Sequence, residues 1–170
     1  STGGPADDVH RVLAGLLPVP RFLDSQAVAR CEGRVSIQQW CGDRNLADFY
    51  ADNADDPATA QGLVEATSRV GALLAELHSC AGQLPADLVD RLPQQHPTRQ
   101  LDVLAPELAR RVRAVGDMLP DRLPGAPVLT HGDASPDQAL YEYSTGRIWL
   151  TDFDRVRLAP AATDLGSYLA

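Results

Sequence analysis

The sequence predicts an α+β fold with a mainly helical larger lobe. The order of the local patterns predicts this class, because a helical pattern comes first, a hairpin follows, two helical stripes come next and short strands come last. Hydrophobic residues make up 44% of the 170 residues, which is enough for a packed core. The length suits one domain, or a small lobe joined to a larger one.

The first third of the chain predicts a helix and then a hairpin. Two acidic residues precede an apolar stripe at helical spacing, which holds Val9, Val12, Leu13, Leu16 and Leu17. Pro18 is expected to end this helix. Short apolar runs predict strands over 21–23 and 27–31, and the alternating run Arg34–Trp40 predicts the second strand of the hairpin. A short helix is expected from Leu46 to Tyr50.

The rest of the chain predicts two long helices and two short strands. The clearest helix runs over 63–78, where one stripe holds Leu63, Thr67, Val70, Leu74 and Leu77. Three prolines predict an irregular segment over 82–100, and a second apolar stripe predicts a helix over 104–119. Short apolar runs predict strands over 127–130 and 148–151.

Charge and cysteine usage exclude several functions. The net charge of -8 argues against a nucleic-acid-binding face, and no apolar run approaches the ~20 residues that cross a bilayer. The three cysteines form no CxxC pair, which predicts a reduced, cytoplasmic compartment. All 15 basic residues are Arg. Mechanisms that need a Lys within these residues, such as a kinase strand lysine, are therefore excluded.

Two acidic segments follow the last two predicted strands. Asp133 and Gln138 lie in the sequence HGDASPDQ, and Asp152-Phe153-Asp154 follows the next strand. Loops after neighbouring strands can bring such residues to one cleft. Phosphoryl transfer needs one carboxylate for the hydroxyl proton, and carboxylate and amide oxygens for Mg²⁺. The spacing indicates a phosphotransferase, and a hydrolase that uses paired aspartates and a metal is a further hypothesis.

The segments HGDASPDQAL and TDFD resemble the catalytic and metal-binding loops of the aminoglycoside phosphotransferase family, which has a protein-kinase-like fold. Three further segments resemble the family in its own order, namely LPVP at 17–20, LAELH at 74–78 and DLGSYLA at 164–170. The resemblance implies a partial small lobe and hinge in residues 1–41, and a mainly helical large lobe with a short catalytic hairpin in residues 42–170. It also implies a partial chain that lacks most of the small lobe and the C-terminal helices.

The same resemblance implies the site residues of an ATP-dependent small-molecule kinase. Asp133 would be the catalytic base, Asp152 the principal Mg²⁺ ligand, and Gln138 the second metal ligand at a position where the family usually has Asn. The backbone of Gln38–Trp40 would face the adenine of ATP. Supporting roles, bracing the catalytic loop or assisting the metal, fall to His131, Asp154 and Asp164.

Several points stay open from the sequence. Gln138 is one methylene longer than Asn, and the family's strand lysine has no counterpart, so a non-catalytic binding module is the alternative to a kinase. The acceptor is a small molecule with a hydroxyl group, and an antibiotic, a sugar, a choline-like amine and a homoserine-like metabolite all fit. Acidic residues at 52, 55 and 56 would attract a cationic acceptor, although a solvated acidic loop is the simpler interpretation.

Three residues outside the motifs are predicted to be structural. His10 is expected at the surface, and His78 is expected to hydrogen-bond locally at the end of its helix. Trp40 is expected to pack in the hinge or the core, and a stacking platform for adenine is the alternative.

Overall fold

The computed structural model describes residues 5–28, 33–53, 59–93 and 126–170. Its helices are α1 (Pro5–Leu13), α2 (Leu46–Asn53), α3 (Ala60–Ser79), α4 (Ala86–Asp90) and α5 (Ala162–Leu169). Its strands are β1 (Phe22–Val28), β2 (Gly33–Gln38), β3 (Arg44–Asn45), β4 (Val128–Thr130), β5 (Ala139–Glu142), β6 (Arg147–Leu150) and β7 (Arg157–Ala159). The stripe predicted over 104–119 and the acidic residues at 55 and 56 lie outside the described residues.

Antiparallel pairing organises the strands into three small sheets. β1 pairs with β2, β5 lies between β3 and β6, and β4 pairs with β7. Within the hairpin of β5 and β6, Leu140 lies opposite Trp149, and in the β4–β7 pair Leu129 lies opposite Leu158. Helices and small antiparallel sheets together confirm the predicted α+β class.

One face of α3 supplies much of the hydrophobic core. Ala66, Val70, Leu74 and Leu77 are buried along this face, as the 3.6-residue period of a helix requires. The sequence placed Thr67 in this stripe, but Thr67 is exposed and Ala66 is the buried residue. Residues of α1 and β4 complete the same core, including Val9, Leu13 and Leu129.

The helix at the start of the chain packs on the C-terminal part. α1 contacts the 3₁₀ turn Phe153–Arg155, which follows Asp152, and it also contacts α4 and β1. His10, predicted at the surface, is only 3% exposed, because it lies beside Val9 on the packed face of α1. This contact joins the first helix to the loop that carries Asp152.

Three local predictions differ from the structure. Two short strands were predicted over 21–23 and 27–31, but a single strand, β1, runs from Phe22 to Val28, and its register shifts between Phe22 and Asp24. Residues 29–31 of that prediction lie outside the described residues. The segment over 82–100 was predicted to be irregular, but it contains α4. This helix begins directly after Pro85, which is its N-cap residue. Strand β7 was not predicted, since its three residues are too short to show a period.

None of the helices in the described part of the chain is long and apolar enough to cross a bilayer.

Candidate active site

The HGD segment forms a tight loop directly after β4. His131 and Gly132 are buried, whereas the side chain of Asp133 is 39% exposed. Gly132 has φ +85°, and a Cβ atom at this position would overlap the carbonyl oxygen of Arg155. Only glycine fits here, because both the left-handed backbone and the close approach exclude a side chain. The loop therefore presents Asp133 to solvent while its own backbone is held inside.

Asp164, in the first turn of α5, accepts hydrogen bonds from the backbone of this loop. Its Oδ2 atom accepts a hydrogen bond from the amide of His131 at 2.9 Å, and its Oδ1 atom accepts one from the amide of Gly132 at 2.9 Å. The Nε2 atom of His78 lies 2.9 Å from Oδ2. Burial alone would raise the pKa of Asp164, but these three hydrogen bonds outweigh it and place the pKa below its usual value. Both oxygen atoms of the buried carboxylate thus accept hydrogen bonds.

The partner of His78 corrects one prediction. His78 was expected to bond within its own helix end, but it bonds to a residue 86 positions away. The helix end brings the imidazole to α5, so a tertiary contact replaces the local one.

The second acidic loop is tied to the first through Thr151. The amide and hydroxyl of Thr151 both donate to the carbonyl oxygen of Gln138, at 2.9 and 3.1 Å. The carbonyl oxygen of Thr151 lies 2.7 Å from Nε2 of His131, which must donate this hydrogen bond. Asp152 follows with φ 63°, a left-handed conformation that is rare for a residue with a side chain. These bonds fix the backbone just before Asp152 relative to Gln138 and to the HGD loop.

The two acidic loops were predicted to follow neighbouring strands, and this prediction is wrong. β4 and β6 belong to different sheets, since β4 pairs with β7 and β6 pairs with β5. The loops nevertheless meet, because His131 and Thr151 are hydrogen-bonded side chain to backbone.

The carboxylates of the two loops act on one another. Burial raises the pKa of Asp152, and the negative charge and hydrogen bond of Asp154 and the charge of Asp133 raise it further. Arg155 approaches from the same turn, with its Nη1 atom 3.4 Å from Oδ2 of Asp133. The site therefore gathers three acidic side chains and one guanidinium at the surface.

This donor set fits Mg²⁺ better than a metal held by protein ligands alone. No three His, Cys, Asp or Glu side chains come together as a metal cage within the described ranges. Mg²⁺ is usually bound by one or two carboxylates, with waters and substrate phosphates completing the shell. Burial is the largest cause of the raised pKa of Asp152, the negative charges of Asp154 and Asp133 add to it, and a cation would offset the effect of those charges. Asp152, with Asp154 and the amide oxygen of Gln138, could hold such an ion.

The segment predicted to face adenine begins at the end of β2. The amide of Gln39 donates to the carbonyl oxygen of Arg21 at 2.8 Å, so this amide is already engaged. Trp40 is 90% exposed, which corrects the expectation that it packs in the hinge or the core. Gln38 is the last residue of β2 and is half-buried.

The chain after this segment is anchored to the hairpin of β5 and β6. The amide of Asp43 donates to the carbonyl oxygen of Tyr141, and the carboxylate of Asp43 accepts from the amide of Tyr143, each at 2.7 Å. Gly42, with φ +69°, packs against Leu140 so closely that a Cβ atom would overlap it. The segment Gln38–Trp40 is therefore held at a fixed distance from β5.

An aromatic column that the sequence did not reveal connects α1 to both acidic loops. The ring of Phe153 lies 5.6 Å from that of His10 and 4.7 Å from that of His131, measured between centroids. His10 also lies 2.6 Å from the carbonyl oxygen of Pro20 through its Nε2 atom. The position of His10 three residues before Leu13, on the apolar stripe of α1, is the sequence signal that could have placed it inside.

Comparison with known families identifies the class of protein. The sequence profile of the phosphotransferase enzyme family, APH, matches residues 5–170. The chain belongs to this family. A comparison with curated protein sequences gave no significant match.

Solved structures of related fold agree with this assignment. Amicoumacin kinase hAmiN in complex with AMP-PNP, Ca²⁺ and Ami superposes with a TM-score of 0.68 at 16% identity, covering 97% of this chain and 51% of the kinase. An aminoglycoside-3'-phosphotransferase of type VIII gives 0.62 at 19% identity, covering 97% of this chain and 62% of that one. Spectinomycin phosphotransferase APH(9)-Ia, solved with ADP and spectinomycin, gives 0.59 at 13%, covering 95% and 56%. The chain shares their kinase-like fold and spans about half to three fifths of their length.

Proposed function

We propose that the protein is a phosphotransferase that moves the γ-phosphoryl group of ATP to a hydroxyl group of a small molecule. The observation that carries the proposal is the meeting of Asp133 with Asp152 and Asp154 on two hydrogen-bonded loops. Membership of the family supports it, and so does the presence of AMP-PNP or ADP in the solved relatives. Phosphoryl transfer depends mainly on positioning and on charge neutralisation, and this arrangement offers both.

Each acidic side chain has a distinct part in this reaction. The acceptor oxygen forms a bond to phosphorus, the bond from phosphorus to the β–γ bridging oxygen breaks, and ADP leaves with that electron pair. The half-exposed carboxylate of Asp133 accepts the hydroxyl proton. Asp152 would hold Mg²⁺ together with Gln138, and Asp154 would assist. When bound, Mg²⁺ supplies the positive charge that the phosphates need.

The remaining site residues support this chemistry. We assign His131 and Asp164 to bracing the catalytic loop. Asp164 accepts hydrogen bonds from the amides of His131 and Gly132, and the side chain of His131 donates to the carbonyl oxygen of Thr151 in the second loop. The backbone of Gln38–Trp40 is assigned to adenine. Since the Gln39 amide is bound to Arg21, any contact that Gln39 makes to adenine uses its carbonyl oxygen.

The wider assignments follow the same proposal. We place a partial small lobe and hinge in residues 1–41 and the large lobe in residues 42–170. The acceptor is a small molecule, with an antibiotic, a sugar, a choline-like amine and a homoserine-like metabolite as candidates, and an antibiotic would make this a resistance enzyme. Asp52, which would attract a cationic acceptor, is paired with Arg44 at 2.5 Å, so its charge is partly compensated. Free thiols at Cys41 and Cys80 support a cytoplasmic location.

A non-catalytic nucleotide-binding module is the second candidate. The observation that favours it is the absence of Lys from all 170 residues, because family members use a strand lysine on the phosphates. This candidate predicts binding of Mg-ATP without transfer to any acceptor.

The test is a comparison of Asp133→Ala with Asp137→Ala in the full-length protein. Asp137 is an exposed acid in the adjoining turn Pro136–Gln138 and has no assigned role. ADP formation is measured against a panel of hydroxyl acceptors, and Mg-ATP binding is measured by calorimetry. Asp133→Ala should lower transfer by about 10²–10⁴-fold with little change in binding, as expected for loss of a general base.

Three outcomes would contradict this proposal. Equal turnover in Asp133→Ala and the wild type would remove the role of Asp133. Phosphate release without any acceptor would indicate a hydrolase. Binding of Mg-ATP without turnover on any acceptor would favour the non-catalytic module.

A further inference from the structure

Arg155 carries a cationic side chain that pairs with the carboxylate of Asp133. Among the residues that the structure describes, it alone forms an ion pair with Asp133, with Nη1 and Oδ2 3.4 Å apart. The side chains are 52% and 39% exposed. A pair at this distance and exposure is held weakly, since strong charge-assisted hydrogen bonds measure about 2.7–2.9 Å and exposed pairs contribute little stability. The guanidinium can therefore exchange Asp133 for a better anion.

The backbone of Arg155, in contrast, is held firmly. Arg155 ends the 3₁₀ turn that follows Asp152, and its carbonyl oxygen lies where a Cβ atom on Gly132 would be. The Nη2 atom of Arg157, two residues later, donates to the carbonyl oxygen of Gly132 at 2.8 Å. The turn is thus fixed against the catalytic loop from two sides. The side chain of Arg155 is 52% exposed and can change rotamer, while its backbone stays packed against Gly132.

The charge of the site creates a need for such a side chain. Asp133, Asp152 and Asp154 are three acidic side chains on two loops that are joined by the hydrogen bond from His131 to Thr151. The transferred phosphoryl group adds further negative charge between the donor and the acceptor. The sequence contains no Lys to meet that charge. A guanidinium suits this task because its planar fork binds two phosphoryl oxygens at once.

We propose that Arg155 is a catalytic residue that leaves Asp133 and binds the phosphoryl group during transfer. The exchange has two effects, since the guanidinium neutralises charge on the phosphoryl oxygens and Asp133 is released to accept the hydroxyl proton. Bond making and breaking are those of the transfer described above, and Arg155 neither gains nor loses a proton. This inference rests on the proposed phosphotransferase function.

The test compares ADP with ADP and aluminium fluoride, a planar anionic mimic of a phosphoryl group in transfer. Calorimetry in the presence of MgCl₂ gives the Kd of each for the full-length wild type, Arg155→Gln and Arg155→Lys. Arg147→Gln is the matched control, because Arg147 is an exposed arginine on β6 that lies over Trp149, with no assigned role in the site. Thermal unfolding checks that all four proteins are folded.

A phosphoryl contact predicts a selective effect. Arg155→Gln should weaken the aluminium fluoride complex about tenfold or more, as loss of a charged hydrogen bond does, and leave the Kd of ADP unchanged. Arg155→Lys should restore part of the loss, because it keeps the charge without the fork. Arg147→Gln should match the wild type.

Other results would overturn the inference. Equal Kd values in Arg155→Gln and the wild type would show that Arg155 does not meet the phosphoryl group. An equal loss for ADP and for the aluminium fluoride complex would show a general role in binding or folding. In both cases the proposed phosphotransferase would stand. Failure of the wild type to bind ADP would instead remove the proposed function, and the role of Arg155 with it.

Discussion

The Nε2 atom of His78 lies 2.9 Å from Oδ2 of Asp164, so the end of α3 and the start of α5 meet at one buried carboxylate. The same carboxylate accepts the amides of His131 and Gly132. Three segments that are far apart in the sequence, namely the end of α3, the HGD loop and the start of α5, thus depend on a single side chain that is 0% exposed.

Replacement of Asp164 by Asn should destabilise the protein. In Asn, a nitrogen that carries two N–H groups replaces one of the two carboxylate oxygens. At least one buried donor that bonds to an oxygen of Asp164 would then face these N–H groups and lose its acceptor. The expected loss in the free energy of unfolding is about 1–3 kcal/mol, measured by urea denaturation. Asp137→Asn, on an exposed turn, is the control and should change stability by less than about 0.5 kcal/mol. Equal stability of the two variants would show that the hydrogen bonds to Asp164 contribute little.

His10 should make stability depend on pH. Burial lowers the pKa of His10 from 6.5, and although the hydrogen bond to Pro20 and the charge of Asp7 raise it and Arg11 lowers it, the net shift is downward. A lowered pKa in the folded state means that stability is complete above pH 6.5 and is lost as the pH falls through the folded pKa. His10→Gln retains a side-chain donor and does not titrate. The stability of the wild type relative to His10→Gln should therefore be constant above pH 6.5 and fall as the pH drops below 6.5 through the folded pKa, measured by urea denaturation. A constant difference across this range would contradict the burial of an uncharged His10.

Two glycines should respond to alanine in opposite directions. At Gly132 a Cβ atom would overlap the Arg155 carbonyl oxygen, so Gly132→Ala should cost about 2 kcal/mol or more. Gly71 lies on α3 with open space around it, so Gly71→Ala should stabilise the helix by about 0.5–1 kcal/mol. Thermal unfolding of both variants tests the pair. A tolerated alanine at 132 would mean that the two acidic loops are less closely packed than described.

Asp152 should reduce stability when no metal is bound. Its pKa is raised in the folded protein, so its contribution to stability is present at low pH and is lost as the pH rises through the folded pKa. Asp152→Asn should therefore be more stable than the wild type in metal-free buffer at neutral pH. Addition of MgCl₂ should raise the melting temperature of the wild type and leave that of Asp152→Asn nearly unchanged. Asp137→Asn should behave as the wild type, and a rise in melting temperature of the same size in all three proteins would exclude Asp152 as a metal ligand.

The sequence predicted those elements whose pattern is local. The buried positions Val70, Leu74 and Leu77 of α3 repeat at helical spacing, and the strand before His131 is an uninterrupted apolar run. The acidic loops were found because their residue types are those that phosphoryl transfer needs. These features can be read from a few neighbouring residues.

Features that depend on distant residues could not be predicted in this way. The strand partner of β4 is β7 and not β6, and the bond between His78 and Asp164 spans 86 residues. The place of His10 on the apolar stripe of α1 favours burial, but the rings of Phe22 and Phe153 that pack around it come from other elements, which the stripe does not reveal. The pairing of Arg155 with Asp133 depends on how the two loops stack, which spacing alone does not give.

The position of Asp164 in the chain has a consequence for biosynthesis. Gly132 is joined to the growing polypeptide 32 residues before Asp164, and both acidic loops leave the ribosome ahead of the carboxylate that fixes the first of them. A nascent chain therefore carries every acid of the site before it has the geometry of the site. The HGD loop can reach its final shape only after α5 has been synthesised and has folded against it, so the geometry of the site forms later than the acidic residues themselves.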